Sequence, residues 1–364
     1  MPLRRSVLFL LAIAIIVPAL AREPDAPEYQ DHTKVLYYLD AQGQPQPIAD
    51  ATHFETRRRH IVAGLERLMG PLPDRKNLPP LDVQVQESVV GEGWVRHKLT
   101  YVAEPDSRVP AYLFLPEKRQ GKTAAMICLT QTTNNGKDEV AGLKGLPNLH
   151  IGLELAQRGY VVLCPDYPSL GEYQYDFNAD EHPSGTLKGV INHMRGVDLL
   201  AAREEVDPLR IGTIGHSLGG HNSIFLGVCD RRLKVIVSSC GWTPFGDYYG
   251  GDIRGWSGER YFPRLVEKYE LKVDRVPFDF YELVSALAPR GFFSNSPVGD
   301  GNFDVAGVRK AIPVAAEVYK LFDAADKLQV RYPDCEHDFP PETRQEAYEF
   351  IDRLLQHKPL KAVP

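Results

Sequence analysis

The sequence predicts an α/β fold, a mostly parallel sheet flanked by helices. Strand and helix patterns alternate through the last two-thirds of the chain, as successive parallel strands require. The runs at 124–129 (AAMICL) and 160–164 (YVVLC) are continuously apolar, as strands buried on both faces should be. The string Gly215-His216-Ser217-Leu218-Gly219-Gly220 lies between the strand pattern RIGTIG and an amphipathic helix pattern.

The chain has 364 residues, 43% of them hydrophobic and 25% charged, which excludes a disordered, collagen-like or multi-span membrane protein. A net charge of −6 gives nucleic acid no basic face. The 29 prolines imply many ordered loops. Arg4 and Arg5 precede an apolar stretch at 6–20, and Ala19-Leu20-Ala21 has the small-x-small pattern of a signal-peptidase site. Cleavage after Ala21 is expected, with the protein secreted or periplasmic. The stretch is short for a membrane span and Pro18 interrupts it, so no stable span is expected after processing. Of five cysteines, an odd number, at least one must stay unpaired, and one disulfide is conceivable.

Residues 22–53 are rich in Pro, Gln and Asp and read as a tethered arm. A helix is expected over 53–69, ended by Gly70-Pro71. Arm and helix together make a segment 22–80 ahead of the main domain at 81–358. Alternating runs at 83–89, 95–102 and 111–115 predict antiparallel lead-in strands. The strands expected next are 124–129, 160–164, 210–215, 233–239, 291–295 and 328–332. Helices are expected at 148–158, 187–206, 217–229, 305–322 and 341–356.

Three places carry chemistry. In GHSLGG the glycines flank Ser217 at the spacing of a sharp strand-to-helix turn, which holds the hydroxyl out at the sheet edge. The bland reading is a capping serine in a glycine-rich turn. The loop after 291–295 carries Asp300, a candidate for the acid that orients an imidazole, with Asp304 as the rival. Asp304, just before Val305, also suits a helix N-cap. His337, in Glu336-His337-Asp338-Phe339-Pro340 after the last strand, is the candidate general base, and its bland reading is a polar surface histidine. His216 neighbours the serine, but in such a turn its side chain should point away. A serine hydroxyl is a weak nucleophile and needs a base. Its tetrahedral intermediate needs N–H donors, here the backbone of Leu218 and of Gln131, with Thr132 as the alternative to Gln131. No cysteine or histidine pair has metal-ligand spacing, so neither metal nor cofactor is expected.

The stretch from about 80 to 357 resembles the α/β-hydrolase superfamily, in its dienelactone-hydrolase and prolyl-oligopeptidase-like esterase branch. GHSLGG, the aspartate after the penultimate strand and EHDFP carry the resemblance. QTTNNGKDEVAG (131–142), YPSLGEY (167–173), SSCGWTPF (238–245) and HDFPPE (337–342) are similar to strings in a group of exported bacterial hydrolases, some of whose relatives resemble acetyl xylan esterases. The resemblance implies a mostly parallel eight-stranded sheet with a small cap insertion at about 241–276. It also implies an exported serine hydrolase forming an acyl-enzyme on a small-molecule or carbohydrate ester. A serine peptidase of the prolyl-oligopeptidase type is the alternative, and a binding protein on a hydrolase scaffold a third reading.

The cap stretch is aromatic. Trp242, Trp256 and Arg254, with Tyr167 on the loop after 160–164, are the candidate substrate-binding residues, and Tyr173 is a further pocket candidate. The competing reading is that these aromatics pack the cap onto the sheet.

Overall fold

The computed structural model describes residues 26–119, 121–179 and 182–360. The expected signal segment, 1–21, lies outside the described residues. The described chain opens with a two-stranded ladder, β1 (Tyr37–Leu39) and β2 (Pro45–Pro47), and helix α1 (Ala51–Met69). Asp50 starts α1 by accepting the His53 N–H at 2.9 Å. The expected arm is not a loose tether from residue 26 onward. Tyr29, Val35 and Ile48 are buried, the Arg57 guanidinium lies 3.2 Å over the Tyr29 ring, and Arg57 donates to Glu282 at 2.5 Å. A composition rich in Pro and Gln did not reveal these long-range anchors.

The alternating lead-in becomes β3 (Gln84–Gly91), β4 (Trp94–Glu104) and β5 (Ser107–Pro116), all antiparallel. Then follow β6 (Thr123–Leu129), α2 (Lys137–Val140), α3 (Ile151–Gln157), β7 (Val161–Pro165), α4 (Gly185–Ala202), β8 (Val206–His216), α5 (Leu218–Cys229) and β9 (Leu233–Ser239). After a lid come α6 (Arg264–Glu267), α7 (Phe280–Ala286), β10 (Gly291–Asn295), α8 (Val305–Leu321), β11 (Leu328–Arg331) and α9 (Pro341–Leu354). The sheet order is β11-β10-β9-β8-β6-β7-β5-β4-β3, with β6 to β11 parallel. It has nine strands rather than eight. All nine sequence runs pair, down to β3, an edge strand bonded only to β4.

Several boundaries moved, and at α4 the cause is plain at both ends. Helix α4 begins at Gly185 because Ser184 caps it, accepting the Leu187 N–H at 3.0 Å. It ends at Ala202, not 206, because Val206 already pairs with Thr123 as the first residue of β8.

Both faces of the central strands are covered. Ile127 and Leu163 point into a core shared with α4, while Met126 and Val162 point into the core under α3 and α9. Each such side chain contributes roughly 1.5–3 kcal/mol when fully buried. Chain order reverses at β6, whose neighbours β7 and β8 lie on opposite sides. Ligands of open α/β sheets bind at the carboxyl ends beside such a reversal, and Ser217 follows β8 there.

Candidate active site

The turn at Ser217 is built from backbone contacts that exclude side chains. A Cβ on Gly215 would lie 2.3 Å from the Gly219 backbone, and one on Gly219 would lie 2.1 Å from the Leu129 carbonyl oxygen. Ser217 itself is held at φ 53°, ψ −117°, a conformation few non-glycine residues adopt. Its N–H donates to Ser239 O at 2.8 Å, and its carbonyl accepts from Gly220 N–H at 2.8 Å. The side chain thereby stands at the start of α5. The Leu218 amide is the first of that helix and has no intrahelical acceptor.

Asp300 and His337 meet over the ends of β10 and β11. His337 Nδ1 lies 2.9 Å from Asp300 Oδ1 and 3.0 Å from Oδ2. Asp300 Oδ1 also accepts the N–H groups of Asn302 (2.8 Å) and Phe303 (3.1 Å). Burial pushes the Asp300 carboxyl up, but the His337 contact and these two amides outweigh it and hold the carboxyl below its usual value. Asp304 instead caps α8, accepting Ala306 N–H at 2.8 Å. The His337 loop is pinned from below: the Asp338 carbonyl accepts from Asn295 Nδ2 at 2.8 Å and from the Cys240 thiol at 3.3 Å.

The His337 ring stacks on Phe303 at 6.0 Å, and Phe303 and Ser217 share the wall of one cleft of about 280 Å³. Among the described residues no hydrogen bond joins Ser217 Oγ to His337; the imidazole is bonded to Asp300. Catalytic hydrogen bonds are commonly long in unliganded sites and tighten when substrate binds. Two wider grooves, about 1040 and 1030 Å³, lie elsewhere, on Glu104–Lys188 and on Lys122–His357. Neither contains Ser217, so size alone does not select the site.

The loop after β6 is locked beside this cleft. Asp166 Oδ1 accepts Lys137 N–H at 2.7 Å, and its Oδ2 accepts Lys137 Nζ at 2.9 Å and Glu172 N–H at 3.0 Å. Two of the recognised strings, 131–142 and 167–173, are therefore one structure. The Gln131 side chain is turned away and donates to Glu139 at 2.8 Å, so only its backbone remains to act. Thr132 lines the cleft and shares a 3.1 Å hydrogen bond with the Tyr261 hydroxyl.

The candidate substrate-binding residues separate. Trp256 lines the cleft, its ring 4.7 Å from His221. Trp242 does not reach it: the ring is buried against Phe280 and Phe292 and donates to Ser294 Oγ at 2.9 Å. Arg254 points to solvent, 75% exposed, and pairs with Asp252. Tyr167 is a buried staple, its hydroxyl within 2.9 Å of Gly185 O and 2.8 Å of Arg260 O. Tyr173 lines the Glu104 groove instead and bonds Ser107 at 2.9 Å. All five cysteines are free thiols.

Sequence reading missed His221, Asn302 and Phe303 as cleft residues. His221 lies one helical turn from Ser217, so the i, i+4 rule could have placed it on the same face. Burial lowers its pKa to about 3, leaving it neutral. His216 also departs from expectation. Its ring does not turn away but packs 4.7 Å from that of His337, with Nδ1 2.9 Å from Ser239 Oγ.

Comparison with known proteins follows the same lines. Residues 143–356 match the profile described as "Alpha/beta hydrolase family". YtaP of Bacillus subtilis (strain 168), which its name calls a hydrolase, is 26% identical over 302 residues, covering 80% of this chain and 97% of YtaP. A glucuronoyl esterase from Solibacter usitatus superposes with a TM-score of 0.71 at 22% identity, over 90% of this chain and 98% of that one. A family 15 glucuronoyl esterase from Caldicellulosiruptor kristjansonii gives 0.64 at 18% identity, over 90% and 92%. At those identities the two structures establish the shared fold.

Proposed function

We propose an activity from one premise: the match covers more than half of the chain, and the chain belongs to the α/β-hydrolase family. On that premise the protein is a serine ester hydrolase. The observation that carries the reading is the Asp300–His337 pair, at 2.9 and 3.0 Å, beside a serine held in a strained turn.

In this reading His337 Nε2 takes the proton of Ser217 Oγ as the oxygen attacks the ester carbonyl. Asp300 holds the ring by Nδ1 and stabilises the imidazolium. The backbone N–H of Leu218 and of Gln131, or of Thr132 next along the loop, receive the oxyanion. The C–O bond then breaks, His337 gives its proton to the departing alcohol, and an acyl group remains on Ser217. Water, deprotonated by His337, releases the acid and restores the serine. Substrate entering the cleft brings Ser217 and His337 into contact. An ester on a sugar or uronic acid fits the aromatic walls and the names of the structural neighbours. Export, resting on the first twenty-one residues, places the enzyme where such polymers are met.

The test is hydrolysis of p-nitrophenyl acetate, acetylated sugars and uronate methyl esters by the wild type and Ser217→Ala. Ester turnover should fall by about 10⁴-fold or more in the variant, and a fluorophosphonate should label Ser217 alone. Undiminished turnover, or faster cleavage of an aminoacyl nitroanilide than of any ester, would overturn the reading.

A further inference from the structure

The ends of β8, β9 and β11 bring together three side chains that the sequence keeps far apart: His216, Cys240 and His337. One donor atom from each lies within 4.8 Å of the other two. Both imidazoles are held by Nδ1, His216 at Ser239 Oγ (2.9 Å) and His337 at the Asp300 carboxylate (2.9 Å), so Nε2 is the free nitrogen on each. Metal-binding histidines are oriented in this way, with the second ring nitrogen bonded to an oxygen. The Cys240 thiol completes the trio, with Asn295 Nδ2 3.6 Å from the sulfur. Ser239 Oγ in turn accepts from Asn295 Nδ2 at 2.8 Å, so one amide steadies two of the three donors.

We propose that His216, Cys240 and His337 form an inhibitory site for a thiophilic divalent cation, zinc above all. Two imidazoles and one thiolate are a borderline-soft donor set that suits zinc and cadmium and disfavours magnesium and calcium. Zinc bonds of about 2.0–2.3 Å put donors roughly 3.3–3.8 Å apart, so the trio must draw in by roughly 1 Å. His337 is the least enclosed of the three, with 29% of its side chain exposed, so its ring supplies that movement while its loop stays pinned. On binding, a Zn–Sγ bond forms, the thiol proton passes to solvent, and nothing is oxidised. The fourth position stays open to water. Because His337 is the proposed base, metal capture removes the proton acceptor that Ser217 needs. The inhibition rests on the proposed function; the metal site itself does not.

The experiment therefore reads both. Cobalt(II) is titrated into the full-length protein, and the thiolate-to-cobalt charge-transfer band is followed in wild type, Cys240→Ser and His216→Asn. In parallel, ester turnover is measured against zinc, with magnesium as control and a chelator to reverse it. The band should appear in the wild type and be lost in Cys240→Ser, and each variant's zinc inhibition is read against its own metal-free turnover. Half-inhibition by zinc should need at least tenfold more metal in either variant. A band that survives in Cys240→Ser would locate the metal elsewhere, at the half-exposed Cys335 for instance, and would overturn the site. Equal zinc inhibition of wild type and Cys240→Ser would overturn it too. A cobalt band without ester turnover would keep the site and refute the esterase reading instead.

Discussion

The serine turn and the lid beside it are both made of rigid, close-packed residues, yet they constrain sequence in opposite ways. At the turn, backbone meets backbone. A Cβ on Gly219 would sit 2.1 Å from a carbonyl oxygen that cannot move without breaking the β6–β8 pairing, so only glycine fits. In the lid, residues 241–276, ring meets ring. Trp256 lies 5.7 Å from Phe245 and 6.2 Å from Phe262 by centroid, and Phe245 and Trp256 reach Phe280 of α7 at 5.5 and 5.7 Å, in contacts that another large apolar side chain could largely replace. The lesson is that steric prohibition leaves a motif, whereas aromatic packing leaves only a composition.

Four sets of variants test this contrast between turn and lid. The largest effect is at Asp300, the proposed acid. Asp300→Asn should lower kcat by about 10³–10⁴-fold, because the amide no longer holds the productive imidazole tautomer, while Asp304→Asn keeps a good cap and leaves kcat unchanged. Equal losses in both variants would refute the assignment. Next comes Gly219→Ala, which should cost roughly 3 kcal/mol of unfolding free energy in a urea titration, since the contact it violates is backbone. A wild-type transition would show that the turn yields.

The two lid tryptophans come third. Trp256→Phe should raise KM about tenfold, because the ring is part of the cleft. Trp242→Phe should instead cost about 1–3 kcal/mol of stability with KM unmoved, since its indole N–H bonds Ser294 inside the core. If the two exchange behaviours, the cleft is elsewhere. Smallest is Arg254→Ala. Its ion pair is exposed, and both kcat/KM and the melting temperature should stay at wild-type values in parallel assays.

Much of this was legible beforehand. The strands at 233–239 and 291–295 have the bounds their sequence predicts, because each carries a short apolar centre, Val235–Val237 and Phe292–Phe293, that lies buried in the sheet. Ser217, Asp300 and His337 stand out as candidates because each follows a predicted strand, and the structure brings Asp300 and His337 into contact. Trp242, Arg254 and Tyr167, candidate substrate contacts by sequence, lie outside the cleft. Indole, guanidinium and phenol are used alike in cores, on surfaces and in clefts, and nothing local distinguishes those settings. The pinned arm at 26–50 was missed for a related reason: its anchors lie on residues distant in sequence.

The fold class, the serine turn and the chain order of serine, aspartate and histidine are legible in the residues alone. These follow from periodicity and from backbone geometry that admits few residue types. Packing in three dimensions settles that Asp300 rather than Asp304 faces His337, that Trp256 rather than Trp242 meets the cleft, and that His216 and Cys240 stand beside His337. Those outcomes depend on which strand ends become neighbours and how side chains pack there, and proximity in space leaves no trace in local order.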